Sequence, residues 1–169
     1  MKKRFLSILM ALSLALSLLP TAAFATEGTG GPGSEVVQGV KENYISIAAA
    51  LEAGETNVTL VGDLTENVVI PAGKTLTIDL GGRKITNDTT STTEDTIYVT
   101  LGAELTINGT GTVDNVSNAK AAIFNNGTVT LNGGTYTRSQ ETGRNPTDGG
   151  ENSYYNILNH GIMTINKNV

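Results

Sequence analysis

The chain has no cysteine, no tryptophan and one histidine, and only 5 % of its 169 residues are aromatic. Without cysteine there is no disulfide scaffold, no thiolate metal site and no thioether lipid anchor. An exported protein lacking disulfides fits a bacterial secretion route. Few aromatics beside 20 glycines suit a narrow, repetitive core better than a broad globular one. His160, the lone histidine, has no Ser or Cys beside it to serve as a nucleophile, so it reads as a turn residue rather than a general base.

The segment from Met1 to Ala25 reads as a secretory signal peptide. Lys2, Lys3 and Arg4 form a positive start, residues 5–19 are apolar apart from small serines, and Pro20 ends that run. Ala23-Phe24-Ala25 is a small-x-small cleavage site, so cleavage is expected after Ala25. The apolar run is too short to anchor in a bilayer. A secreted or cell-surface location follows, with no membrane insertion after cleavage. Three of the 11 basic residues lie in this segment, so its removal leaves eight against sixteen acidic residues, a net charge of −8. An acidic surface disfavours nucleic acid and anionic lipid as partners.

What is abundant is a repeat. Leu76-Thr77-Ile78-Asp79 returns as Leu105-Thr106-Ile107-Asn108, as Val129-Thr130-Leu131-Asn132 and as Met163-Thr164-Ile165-Asn166. Apolar and polar residues alternate in each copy, the pattern of a strand with one buried face. A glycine precedes every copy, at Gly73, Gly102, Gly127 and Gly161. The intervals between Leu76, Leu105, Val129 and Met163 fall in the range of stacked repeat architectures. Shorter strand-like segments recur around the copies, such as Ile97-Tyr98-Val99 before the second and Tyr136 after the third. Three short strands per turn with tight corners predict an all-β fold, a right-handed parallel β-helix (β-solenoid) of about four to five coils.

The predicted layout is signal peptide 1–25, flexible linker 26–34, an N-terminal capping-helix region 35–54 and the β-helix over 55–169. Residues 35–54 read as the one helical stretch, with Ser46 as N-cap, Ile47, Ala50 and Leu51 as its apolar stripe and Gly54 just past its end. Such a helix covers the open start of a repeat stack. Residues 88–95 and 140–153 are polar insertions expected at corners. No capping segment follows the fourth copy, so the β-helix is expected to be truncated at its C-terminus or to self-associate through that uncapped coil.

The repeated polar positions are the candidate site residues. Asp79, Asn108, Asn132 and Asn166 form one column, expected to be a structural hydrogen-bonded ladder. Thr77, Thr106, Thr130 and Thr164 form a solvent-face column, which good β-formers fill without further purpose. The neighbouring positions Thr75, Glu104, Thr128 and Ile162 break any second threonine ladder of the kind an ice-binding face needs. Asp88, Glu94 and Asp95 offer oxygens for Ca²⁺, but their spacing matches no calcium loop, and no cofactor or metal site is expected. Asp79 and Asp114 fall on different repeats and faces, not as a facing pair for glycoside chemistry. Five Asn-x-Ser/Thr sequons, starting at Asn57, Asn87, Asn108, Asn115 and Asn126, follow from an Asn- and Thr-rich composition.

The run IAAALEAGETNVTLVGDLTENVVIPAGKTLTIDLGGRKITN, residues 47–87, and NGTVTLNGGTY, residues 126–136, resemble pectate-lyase-like right-handed parallel β-helix domains. More narrowly, they are similar to those of secreted or surface, adhesin-like proteins of Gram-positive gut bacteria. The resemblance implies a non-enzymatic surface module contacting host or cell-wall glycans. Its alternatives are a polysaccharide lyase or hydrolase and a self-assembling surface protein. The lyases of that group carry acidic Ca²⁺ ligands on successive strands, where this chain has Thr and Asn.

Overall fold

The computed structural model describes residues 34–90, 94–117, 120–140, 155–167 and 169. The segment read as a signal peptide, all of the segment read as a linker except Ser34, and most of the 140–153 insertion lie outside the described residues.

The described chain is all-β, with one short helix. The first repeat gives β3 (Asn57–Leu60), β4 (Leu64–Thr65) and β5 (Val68–Ile70). The second gives β6 (Thr75–Asp79), β7 (Lys84–Thr86) and β8 (Ile97–Val99). The third gives β9 (Glu104–Asn108), β10 (Thr112–Asp114) and β11 (Ile123–Asn125). Then come β12 (Thr128–Leu131), β13 (Thr135–Thr137), β14 (Ile157–Asn159) and β15 (Ile162–Ile165). Corresponding strands pair in parallel, so each repeat adds one strand to each of three sheets. The orders are β3-β6-β9-β12-β15, β4-β7-β10-β13 and β5-β8-β11-β14.

Register follows the repeated phrase. Leu76 faces Leu105, Val129 faces Leu105, and Met163 faces Val129. Because side chains alternate along a strand, this register sends the aliphatics of the repeated phrase inward, and Leu76, Ile78, Ile107, Val129 and Leu131 are fully buried. They join Ile70, Ile85, Ile97, Val113 and Ile123 from the other two sheets in one continuous core. A slip of one position would put all of these aliphatics in water.

The start of the stack differs from the sequence expectation of a helical region over 35–54. The helix, α1, spans only Ile47–Glu52, while β1 (Val37–Gln38) and β2 (Asn43–Tyr44) form an antiparallel hairpin. β1 pairs antiparallel with β3 and so extends the first sheet to seven strands. Val36 and Val37 favour strand and are buried. Gly39 lies where a Cβ would meet Tyr44 and Glu55, so the turn closes only on glycine.

Within α1 the local signals act as read. Ser46 Oγ accepts the Ala49 N–H at 3.0 Å, Gly54 has φ +82°, and Ile47, Ala50 and Leu51 are buried. Glu66, from the corner between β4 and β5, accepts the Ile47 and Ala48 N–H groups at 2.8 and 2.9 Å. These bonds satisfy first-turn donors that have no partner within the helix and pin α1 over the end of the stack. Burial pushes the Glu66 carboxyl above its usual range, against the pull of those two N–H groups.

Glu55 fastens the hairpin. Its carboxylate accepts the Val40 N–H (3.1 Å), the Lys41 N–H (3.0 Å) and the Tyr44 hydroxyl (3.0 Å). The Lys41 N–H bond lowers the Glu55 pKa most, and it outweighs desolvation together with the Val40 and Tyr44 bonds. Burial, then the bond to Glu55, pushes the Tyr44 hydroxyl up to about 12. Glu55→Ala is therefore expected to open the hairpin alone. Amide exchange at Val40 and Lys41 should rise by roughly tenfold or more, the scale of losing bonds to a charged acceptor, with the amides of β6 and β9 unchanged.

Candidate functional site

The outward positions of the seven-stranded sheet carry the polar columns. Gln38 pairs with Thr59, Thr59 with Asp79, and Asp79 with Asn108, so these four side chains share one face in a row. Beside them runs a second row, Asn57, Thr77, Thr106, Thr130 and Thr164. Where the hairpin meets the sheet, the two rows line a groove of about 290 Å³. It is lined by Asn57, Thr59, Thr77, Asp79 and Asn108 from the sheet and by Gln38, Gly39 and Val40 from the hairpin. Val40, an apolar member of this lining, is 78 % exposed.

Of the column Asp79, Asn108, Asn132 and Asn166, three members are tied amide to amide. Asn132 Nδ2 donates to Asn108 Oδ1 at 2.7 Å, and Asn166 Nδ2 donates to Asn132 Oδ1 at 2.6 Å. Asp79 stands in register below Asn108, but its Oδ1 accepts the Gly81 N–H at 2.9 Å. The carboxylate lies so close to Gly109 that a Cβ there would strike Asp79 Oδ1. Thus Asp79 and Asn108 face the groove, whereas Asn132 and Asn166 extend the column away from it. Thr77 lines the groove too; Thr106, Thr130 and Thr164 continue along the sheet.

The other acidic residues lie elsewhere. Asp114, at the end of β10 in the second sheet, has a fully buried side chain and pairs with Lys84 Nζ at 2.7 Å. It also accepts from the Thr137 hydroxyl, the Ser139 N–H and the Ser139 hydroxyl at 2.6–2.9 Å. Burial opposes its charge most strongly, yet Lys84, Ser139 and Thr137 together hold it below the usual carboxylate range. A carboxylate so saturated is a structural anchor, and it does not face Asp79.

Asp88 accepts the Thr90 N–H within its own corner, and Asp95 accepts the Ala121 N–H of the next repeat, so both carboxylates serve as structural braces. Among the described residues, no three His, Cys, Asp or Glu side chains gather where they could hold a metal ion, and no helix is long and apolar enough to cross a membrane.

His160 sits at the corner before β15, where its N–H donates to the Asn125 carbonyl at 2.8 Å. Its ring meets Phe124 edge-on at 5.2 Å, and Phe124 lies 5.3 Å from Tyr98, whose hydroxyl accepts from Asn126 Nδ2. The rings pack on one another along the third sheet and support its outer face. Of the sequon asparagines, Asn87 and Asn115 are buried. Asn87 Nδ2 donates to Ser117 Oγ and Asn115 Nδ2 to the Glu94 carbonyl, so neither can carry a glycan in the folded chain.

Sequence reasoning missed Gln38 and Val40 because residues 35–54 read as one helical stretch, and it missed Glu55 because its partners lie 11 to 15 residues away. The Gly39 turn and the paired valines at 36–37 were the available signal. The Lys84–Asp114 pair carried no local signal, since its members belong to successive repeats and meet only by stacking. Comparison of the chain with family models, with curated proteins and with solved structures finds no match.

Proposed function

We propose that the chain is a right-handed parallel β-helix that is exported and contacts neutral glycans, in the manner of an adhesin, through the groove at its N-terminal end. One observation carries the reading: amide, hydroxyl and single carboxylate side chains converge in a groove edged by an exposed valine. Sugars present dense hydroxyl donors and acceptors above apolar C–H faces, and fixed amides and hydroxyls on strands match them in both roles. The rows are held by backbone register and by the amide chain from Asn108 to Asn166, so little ordering cost falls on binding. The acidic balance of the chain and Asp79 in the groove disfavour anionic polymers. The stacked parallel sheets and the leader-like residues 1–25 support the β-helix and export parts of the reading.

The test is retention of the exported protein on immobilised neutral glycans and mucin, with the polymer checked for new ends. Retention without turnover is expected, with Thr77→Val and Asp79→Ala each weakening it by about five- to tenfold, the scale of one or two lost hydrogen bonds. Thr164→Val, in the same column but outside the groove, should leave it unchanged. The alternative, a polysaccharide lyase or hydrolase, predicts unsaturated or reducing ends that vanish in Asp79→Asn. No retention on any neutral glycan would end the binding proposal.

A further inference from the structure

The amide chain on the first sheet has a direction. Asn166 donates to Asn132 and Asn132 donates to Asn108, each from Nδ2 to the next Oδ1. A planar carboxamide that accepts on one side presents its NH₂ on the other, so Asn108 Nδ2 is the donor end of the chain. It faces β6, where the residue in register is Asp79. Among the described residues no acceptor meets that NH₂.

Asp79 would be the natural acceptor, but it is drawn aside. The Gly81 N–H holds its Oδ1 at 2.9 Å, and the carboxylate lies so close to Gly109 that only a residue without a Cβ admits it there. Asp79 Oδ2 meets no donor among the described residues. A group that only donates and a group that only accepts thus stand on neighbouring strands, about 4.8 Å apart in backbone. Both line the groove.

We propose that Asp79 and Asn108 together select a vicinal diol, two free hydroxyls on adjacent ring carbons of a neutral sugar. The proposal rests on the neutral-glycan reading of the groove and adds which part of the sugar is recognised. Asn108 donates to the first hydroxyl, that hydroxyl donates to its neighbour, and the neighbour donates to Asp79 Oδ2. Each bond in such a row polarises the next, and the row continues the sense set by Asn166, Asn132 and Asn108. The withdrawal of Asp79 toward Gly81 lengthens the gap, which two hydroxyls span better than one. A pyranose ring already holds adjacent hydroxyls side by side, so binding costs little ordering. An ether-linked neighbour has no hydrogen to give the carboxylate, and an anionic substituent would meet Asp79 with like charge.

Mild periodate splits the bond between two hydroxyl-bearing ring carbons, and borohydride then reduces the aldehydes. Immobilised dextran, galactomannan and desialylated mucin can therefore each be presented with and without their diols. The full chain should be retained about tenfold less on the cleaved copies, the scale of losing hydrogen bonds to a charged and a fixed partner. Asn108→Asp still accepts from Asn132 but cannot donate. Asp79→Asn still accepts from Gly81 but offers a donor in place of its second acceptor. Each should lose about tenfold on the intact polymers and nothing further on the cleaved ones, because diol and side-chain pair form one interaction. Asn166→Asp, the same change in the same column outside the groove, should behave as the parent. Equal retention of the parent on intact and cleaved polymers would overturn the proposal and leave the groove reading standing, and that comparison needs no variant. Losses that simply add would overturn it too. No retention on any intact polymer would end both.

Discussion

Replacing Asp114 by alanine is expected to lower stability by about 3 kcal/mol, the lower end of the cost of breaking a buried ion pair. Asp114 is fully buried and binds Lys84, Thr137 and Ser139. The substitution leaves the half-buried Thr137 and the exposed Ser139 without the acceptor they share. Lys84 is 42 % exposed and can turn to water, which keeps the loss from reaching the upper end. Thermal unfolding should fall by roughly 10 °C, and a change under about 1 kcal/mol would show that the pair holds nothing together.

The same residue sets an acid limb. A carboxylate whose folded pKa lies below its unfolded value stabilises the fold above that unfolded value, and the contribution is lost as pH falls through the folded one. For Asp114, held low, the loss begins below about pH 4. Asp114→Asn removes the titration and keeps one of the two acceptor oxygens, so the gap between parent and variant should be widest at neutral pH and narrow as the solution is acidified below that point. Glu66, pushed the other way by burial, favours its protonated form in the fold and partly offsets this limb. A gap of constant size across that range would contradict the assignment to Asp114.

Among the interior glycines that precede the repeated phrase, Gly127→Ala is expected to be the most damaging change. A Cβ at Gly127 would fall on the carbonyl oxygens of Thr100 and Ala103 and stand 3.1 Å from Val99 Cγ1. Backbone cannot rotate aside as a side chain can, so a cost of about 3 kcal/mol or more is expected. Gly102 lies at the corner one repeat earlier but one residue further from its phrase, with φ +79° and nothing within 4 Å of an added Cβ. Gly102→Ala should cost only the left-handed backbone penalty, about 1–2 kcal/mol. Denaturant unfolding of the two variants gives the comparison directly; equal losses would mean that corner packing plays no part.

These glycines fall into two kinds. Gly73 and Gly102 stand three residues before the phrase, Gly127 and Gly161 two before it. Gly73 and Gly102 have positive φ, whereas Gly127 and Gly161 are constrained by the backbone of the preceding layer. The spacing is visible in the chain, but the physical reason for each kind appears only when the repeats stack.

The alternation within each repeated phrase was enough to determine the strands, their inward aliphatics and their pairing, because period-2 burial leaves one register that keeps Leu76, Leu105 and Val129 inside. Ser46, Ile47 and Gly54 likewise marked the helix, through caps that act within a turn or two. Tertiary structure alone decided the antiparallel hairpin at the start, the Glu55 and Glu66 fastenings and the Lys84–Asp114 pair. It also decided which members of the polar columns meet in a groove. Each of these joins groups from separate strands or separate repeats, so no local pattern encodes them. They arise only when parallel pairing stacks one repeat on the next and brings side chains from distant positions onto a common face.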